Sequence, residues 1–420
     1  MRIIADLHIH SSYSRATSPE MNLPVLERWA GLKGIDLLGT GDFTHPAHLA
    51  AITELLTESA PGLYTISASK SKNPAHFMLT AEVSNIFTQG GKTRKVHSLI
   101  FAPSIEAARR INSTLEKMGG NLKSDGRPIF GFSATGLLKA VLDSSPDAMV
   151  VPAHAWTPWF SLFGSKSGFD SIEECFGDLS PHIRAIETGL SSDPAMNGRL
   201  SALDNITLIS NSDAHSPAKI GREANVLNSC LDFFEITGIL QSKDTIRFTH
   251  TIEFFPEEGK YHSDGHRGCG ILFTPEQTGK AGGKCPVCGK GLTVGVMNRV
   301  SQLADRPSHR TVKGTQSFVS VIPLAEIIAE SYGVGAGSAR VAREYMRLVT
   351  TAGSEFSLLL DMSEEELTQA AGPEIAGAIM KVRRGEVSIT PGFDGEFGKI
   401  RIFGEAEKVV PTGPQQTGFL

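Results

Sequence analysis

The sequence predicts an α/β protein: a β/α barrel of about seven strands, then a small zinc-stapled unit and a C-terminal helical region. Three observations lead there. Over about the first 250 residues, short apolar or β-branched runs alternate roughly seven times with stretches of helical periodicity. Most of those runs end in a histidine or a carboxylate, and beyond them stand two pairs of metal-ligating residues at knuckle spacing. Alternating strand and helix implies a parallel sheet closed or nearly closed into a barrel, with chemistry at the carboxyl ends of the strands. An open doubly wound sheet is the alternative, but it would bind at one switch point rather than gather ligands from every strand.

The strand ends come in order. MRIIADLHIH opens with Asp6, His8 and His10 on one face of a strand, since side chains alternate. GIDLLGTGDFTH brings Asp42 and His45, HFMLTAEV brings Glu82, and RKVHSLIFA brings His97. MVVPAHAW adds His154, and ITLISNSDAH adds Asp213 and His215. Helical periodicity fills the gaps in NLPVLERWAGLKG, AHLAAITELLTES, SIEAARRINSTLEKMGG, ATGLLKAVLDSS and, more weakly, PAMNGRLSALDN. Together these residues read as a multinuclear centre of two or three divalent ions (zinc, manganese, iron or magnesium), and the mixture of imidazole and carboxylate favours the first three. Glu82, Asp213 and Asp42 are the candidate catalytic carboxylates. Asp6 is expected to orient a histidine rather than to ligate.

A second metal signal lies in YHSDGHRGCGILFTPEQTGKAGGKCPVCGKGL. His266 and Cys269 form one pair, Cys285 and Cys288 the other, with Gly and Pro supplying the turns of a structural zinc ribbon. His262 could replace His266, but only His266 makes the two pairs symmetrical. Four protein ligands close such a site, so it should stabilise a unit that lacks a core of its own. The chain has five cysteines; Cys175 and Cys230 read as buried thiols, not as a disulfide. The first residues are already a strand and no apolar run approaches a membrane span, which fits a cytoplasmic protein with no membrane partner.

The last segment reads as helix, glycine hairpin, helix, written once as LAEIIAESYGVGAGSARVAREYMRLV and again as MSEEELTQAAGPEIAGAIMKVRRG. Such hairpins can seat a DNA phosphate on backbone amides at a helix N-terminus, although a plain αα-hairpin would look the same. TPGFDGEFGKIRIF follows as a hairpin or edge strand, and the tail PTGPQQTGFL is expected to lack order. Three domains are expected: 1–255 the barrel, 256–310 the zinc ribbon and 311–420 the helical DNA-binding part. A net charge of −5 and a pI of 6.2 do not advertise nucleic-acid binding, which must rest on local clusters such as Lys92 with Arg94 and Lys95, or Lys381 with Arg383 and Arg384.

DLHIH, GTGD with a nearby His, a lone Glu, a His, PAHAW and NSDAH resemble the PHP superfamily, which implies a distorted, seven-stranded β/α barrel with two or three metals that hydrolyses phosphate esters. The motifs map His8 and His10 to its first element, Asp42 to the second, Glu82 and His97 to the third, His154 to the next, and Asp213 with His215 to the last. The chain departs from the pattern where SYSRATS replaces an expected His and where Gly41-Asp42-Phe43 stands for Thr-Asp-His. His45 is the stand-in for that loss, and the third metal position is the one put in doubt. DLHIHSSYSRATS, LLGTGDFTHP, YHSDGHRGCG, CPVCGKGLTVGV, IPLAEIIAE and GFDGEFGKI extend the resemblance over nearly the whole chain to one PHP lineage, the endonuclease Q family of DNA-repair nucleases. That resemblance implies incision of damaged duplex or single-stranded DNA on the 5′ side of a deaminated base (uracil, hypoxanthine, xanthine) or an abasic site. Reading such a base requires it to leave the stack. Arg15 is the candidate phosphate clamp; Asn211 and Ser212, beside Asp213, are candidate lesion contacts, and Trp156 and Trp159 candidate stacking residues, unless they are core. Two other readings share the motifs: a PHP phosphatase acting on a small phosphorylated metabolite, and a non-catalytic DNA-binding adaptor.

Overall fold

The strand that opens the chain lies in the middle of the sheet. The computed structural model describes residues 1–71, 73–307 and 316–404, so the tail from 411 and the expected boundary at 310/311 fall outside the described residues. In chain order the strands are β1 (Arg2–Asp6), β2 (Leu37–Gly39), β3 (Leu56–Ala60), β4 (Leu63–Ile66), β5 (His76–Gln89), β6 (Lys92–Ala102), β7 (Ile129–Phe130), β8 (Met149–Pro152), β9 (Ala185–Glu187), β10 (Thr207–Ile209), β11 (Ala224–Asn228) and β12 (Phe248–Glu253). β13 (Asp264–His266) and β14 (Ile271–Phe273) form a separate hairpin, β15 (Phe318–Ser320) returns to the main sheet, and β16 (Ser388–Thr390) pairs with β17 (Lys399–Arg401), the hairpin expected near the C-terminus.

The main sheet runs β15-β12-β11-β1-β2-β5-β4-β3, with β6 on β5 and β8 on β6. It is mixed, which corrects the expectation of an all-parallel sheet. β1/β2, β2/β5 and β12/β15 run parallel, but β1/β11, β11/β12, β5/β6 and β6/β8 run antiparallel. The β5–β6 reversal has a local cause: Gly90 and Gly91, at φ 60° and 71°, make the two-residue turn whose positive φ values match the twist of a hairpin. Among the described residues the ladder does not close into a ring, because β9 and β10 pair only with each other. The sheet nevertheless curls round its inner face, where Ile3, Ala5 and Leu7 meet Met78, Leu99, Val151, Ala185, Ile209 and Leu227 in one buried cluster.

Helices at Leu23–Lys33, Pro46–Leu55, Ile105–Lys117, Ala134–Ser144 and Phe233–Ser242 cover the strands. Four of them start where the sequence supplies an N-cap, Asn22, Ser104, Ser133 or Asp232, whose side chain accepts a first-turn N–H. PAMNGRLSALDN yields only a turn of helix at Pro194–Asn197 and a 3₁₀ turn at Ser201–Leu203. The C-terminal helices, Leu324–Tyr332, Ala339–Ala352 and a long one over Glu364–Arg383 kinked at Gly372 (φ 80°), build their own apolar cluster. That cluster docks on the first helix through a buried Lys33–Glu355 ion pair at 2.7 Å. None of the described helices is long and apolar enough to cross a membrane.

Candidate metal centre

Glu82 sits near the middle of the long strand β5, on the face that points to the carboxyl end of β1, and it is fully buried. Its Oε1 lies 2.8 Å from His97 Nδ1 and 3.0 Å from His154 Nε2. The other oxygen lies 3.3 Å from His10 Nε2, 3.6 Å from His8 Nε2 and 3.0 Å from an Arg127 nitrogen. Asp213 Oδ1 completes the first set, 3.1 Å from His10 Nε2 and 3.6 Å from His8 Nε2. Two groups of ligand atoms, each within 4.8 Å of one another, therefore share one carboxylate: His8, His10, Glu82 and Asp213, and then Glu82, His97 and His154.

The chemistry of these donors fits divalent cations. His8 Nε2 is buried with no hydrogen-bond partner, although its other ring nitrogen sits 3.0 Å from both oxygens of Glu187. Burial works against charge on His8 and His10, yet Glu187, Glu82 and Asp213 around the first, and Asp42, Asp213 and Glu82 around the second, raise both imidazoles well above their ordinary value. So many carboxylates around buried imidazoles make a place that suits a bound cation. Glu82 and Asp213, despite burial, are correspondingly held well below the carboxylate range.

Sequence reasoning missed Glu187. It ends β9 as a lone acid in an apolar run with no histidine beside it, yet it accepts from His8, from the His154 backbone N–H at 2.8 Å and from Asn211 Nδ2 at 2.9 Å. A carboxylate in that place fixes which nitrogen of His8 faces the ions. Arg127, which no motif in the sequence singles out, is the other omission.

Several expected residues stand elsewhere. Asp42 does not join either ligand group: it grips His10 Nδ1 at 3.1 Å while accepting from Ser11 N–H and Oγ (both 2.6 Å) and Ser14 Oγ (2.9 Å), with the Gly126 backbone closed over it. His10, helped by those hydroxyls, holds its carboxyl down to about 2 against the effect of burial. Ser11 and, from SYSRATS, Ser14 thus satisfy the Asp42 carboxylate beside His10. His45 stacks on Tyr13, ring centroids 4.5 Å apart, away from both groups. His215 stays at the rim, its ring 4.5 Å from that of His10 and its Nδ1 2.9 Å from the Asp213 carbonyl. Asp6 accepts from Ser212 N–H (3.0 Å) and Gly221 N–H (2.8 Å), so it positions the Asp213 loop rather than a histidine.

Among the candidate lesion contacts, Asn211 and Ser212 are fully buried, and Asn211 is spent on Leu7 N–H, Glu187 and Asn225. Trp156 is likewise buried and donates to Asn197 at 2.7 Å. Trp159 remains exposed. Arg15 is exposed and paired with Asp125 at 3.2 Å. In the basic clusters, Arg94 serves Glu174 and the Gly168 carbonyl, and Arg383 serves the Leu358, Leu359 and Met362 carbonyls.

The four residues of the second metal signal come together. His266, Cys269, Cys285 and Cys288 bring their ligand atoms within 4.8 Å of one another, with Cys288 Sγ 3.5 Å from His266 Nδ1. Burial acts to raise the Cys285 thiol, but the backbone N–H groups of Cys288 and Val287 bring it down to about 6. His262 is outside this group. Cys175 is buried as expected, whereas Cys230 is exposed.

Residues 323–386 match the family model described as the MJ0043 C-terminal domain. An uncharacterized Bacillus subtilis protein, YqxK, is 29% identical over 95% of this chain and 99% of its own length. The uncharacterized Methanocaldococcus jannaschii protein MJ0043 is 33% identical over 59% of this chain, which spans 31% of that longer protein. Among solved structures, the lesion-specific endonuclease PfuEndoQ of Pyrococcus furiosus superposes with a TM-score of 0.85 at 31% identity, covering 98% of each chain. Endonuclease Q bound to a 27-mer duplex with an abasic lesion at its active site gives 0.83 at 31% identity over 98% of this chain and 99% of that one. Likeness at that identity over essentially the full length of both molecules, with the ligand clusters in place, means that the chain belongs to the endonuclease Q family.

Proposed function

We propose that the protein is a metal-dependent DNA-repair endonuclease that incises the strand on the 5′ side of a deaminated base, uracil, hypoxanthine or xanthine, or of an abasic site. The observation that carries this reading is Glu82, one buried carboxylate shared by two sets of imidazoles. Divalent ions held there, for which nitrogen-rich donors favour zinc, manganese or iron, would acidify a water and clamp phosphate oxygens. His8, His10 and Asp213 would hold one ion, His97 and His154 the other, and Glu82 both. Arg127, 31% exposed beside Glu82, offers its remaining N–H groups to a phosphate oxygen. Residues from about 256 to 307 would form a zinc-stapled unit and those from 316 on a helical DNA-holding part, whose glycine hairpins a phosphatase for a small metabolite would not need. Thiol ligands that must stay reduced suit a cytoplasmic setting.

The test is a labelled duplex with one uracil or hypoxanthine, its product ends mapped after reaction, beside p-nitrophenyl phosphate. A nick that leaves the lesion on the new 5′ terminus is expected. Asp213→Asn should lower that cutting at least about a thousandfold while DNA binding survives. Release of free base, equal cutting of undamaged DNA, or turnover of the small ester alone would overturn the reading.

A further inference from the structure

The loop that follows β8 touches both imidazoles of the second ligand group. His97 donates its backbone N–H to the Phe160 carbonyl at 3.0 Å, and its ring centroid lies 4.7 Å from that of Phe160. Thr157 Oγ1, in the same loop, lies 3.3 Å from His154 Nδ1. The backbone that makes these contacts is strained: His154 and Phe160 have φ values of 28° and 61°, which a non-glycine residue holds only where its surroundings impose them. Between Pro152, where β8 ends, and the helix that starts at Ile172 the chain runs in turns and bends, so its carbonyls need donors from outside.

The outside donor is Arg299, on the helix Val296–Leu303 that follows the zinc hairpin. Its Nε donates to the Phe163 carbonyl at 2.9 Å, and one Nη to the Phe169 carbonyl at 3.0 Å and to Asp170 Oδ1 at 2.5 Å. The Arg299 side chain is 12% exposed and that of Asp170 75%, so the bonds to the carbonyls, not the ion pair, are the ones that water cannot replace. The helix is a firm base for this reach. Val296 and Val300 are buried in the barrel core, and Asp264 accepts from the Gly295 N–H at 2.6 Å and from Asn298 Nδ2. From β6, Arg94 braces the same turn through the Gly168 carbonyl and the Phe169 ring, 4.1 Å from its centroid.

We propose that Arg299 is a positioning residue of the metal centre: by holding the loop after β8 in its strained shape, it keeps His97 and His154 aimed at the ion they share with Glu82. The assignment rests on the ligand sets of the endonuclease reading above. His8, His10 and Asp213 have no contact with this loop through Phe160 or Thr157, so the effect of Arg299 belongs to one ion and not to the other. Outer groups that orient ligands typically change metal affinity by about tenfold to a hundredfold when they are lost.

Zinc titration of the metal-free protein against a chromophoric chelator resolves the filling steps, and His97→Ala marks the step that belongs to the second ligand group. Arg299→Met keeps the apolar stem and removes the donors. It should weaken that step roughly tenfold to a hundredfold while the step of His8, His10 and Asp213 keeps its wild-type value. Arg299→Lys, which can reach one carbonyl but cannot fork across two, should weaken it less. Cutting of a uracil duplex by either variant should fall at limiting metal and recover at saturating metal, a pattern that general loss of folding does not give. Wild-type filling of every step by Arg299→Met, or equal weakening of both barrel steps, overturns the proposal. If Arg299→Met does not fold, Arg299→Lys decides by the same two criteria. A wild type that fills all its steps and cuts no lesion would instead sink the endonuclease reading, with the metal titration still deciding the role of Arg299.

Discussion

Three residues of the centre, Asp42, His154 and Asp213, have positive φ values of 45°, 28° and 46°, a conformation that costs a non-glycine residue of order 1–3 kcal/mol. The strain is held by what lies behind them, including a layer of buried acids. Glu253 accepts from Thr251, Ser210 and Thr188, next to the residues that position Glu187 and Asn211. Burial, reinforced by the charge of Asp193, pushes its carboxyl up to about 8 despite those hydrogen bonds. The native state then keeps this proton until about pH 8, whereas the unfolded chain releases it near 4.5. Its contribution to stability is thus full below pH 4.5 and drains away as pH rises to 8. Glu253→Gln should melt above the wild type by roughly 2–5 °C at pH 8, with the difference shrinking toward pH 5. Equal melting temperatures across that window would show that Glu253 is ionised in the native protein. At this scale the sequence reveals ligands by residue type at strand ends, which is why His8, His10, Glu82, His97, His154 and Asp213 were legible. It hides Glu187, whose role depends on the partners it finds across the fold.

Among elements, helices with an N-cap and an apolar stripe were readable, and so was the meeting of His266 and Cys269 with Cys285 and Cys288, because both signals are local. Strand direction was not, since it depends on what each strand meets; even the β5–β6 reversal, carried by Gly90-Gly91 between two long β-prone runs, went unread. The zinc unit makes a sharp prediction. β13 and β14 are three residues each, too short to hold the four ligands in place by packing alone. Cys285→Ser should therefore release about one zinc per chain and lower the melting temperature, because binding energy at such a site is folding energy. Metal content and melting unchanged from the wild type would rule out the site. The ions of the centre should remain.

At the scale of the whole molecule, the C-terminal helices are not an appendage. Glu355 takes the Lys33 ammonium at 2.7 Å, the Tyr345 hydroxyl at 2.7 Å and the Leu324 N–H at 2.9 Å, all out of water. Removing one member of such a pair leaves the other charge buried and uncompensated, a loss of about 3–5 kcal/mol. Lys33→Met, which keeps the apolar stem, should lower the urea midpoint accordingly and expose the junction to proteolysis. A midpoint equal to the wild type would mean that the two parts are coupled by apolar packing alone. Nothing near Lys33 in the sequence marks it as half of an interdomain bond, because its partner lies more than three hundred residues away.

The central place of β1 has a consequence for how the molecule is made. Leu7 N–H reaches its partner, Asn211 Oδ1, across 204 residues of chain. At ordinary rates of synthesis, about 5–20 residues per second, the opening strand waits roughly 10–40 s at the ribosome before that partner emerges. Through most of that interval His8 and His10 follow a strand that can pair on one side only, with β2, and have neither Glu187 nor Asp213 to set their geometry. Ion loading is thereby deferred until the loop after β10 has emerged, and a nascent chain stalled short of Asp213 should carry an exposed strand edge and an incomplete ligand set.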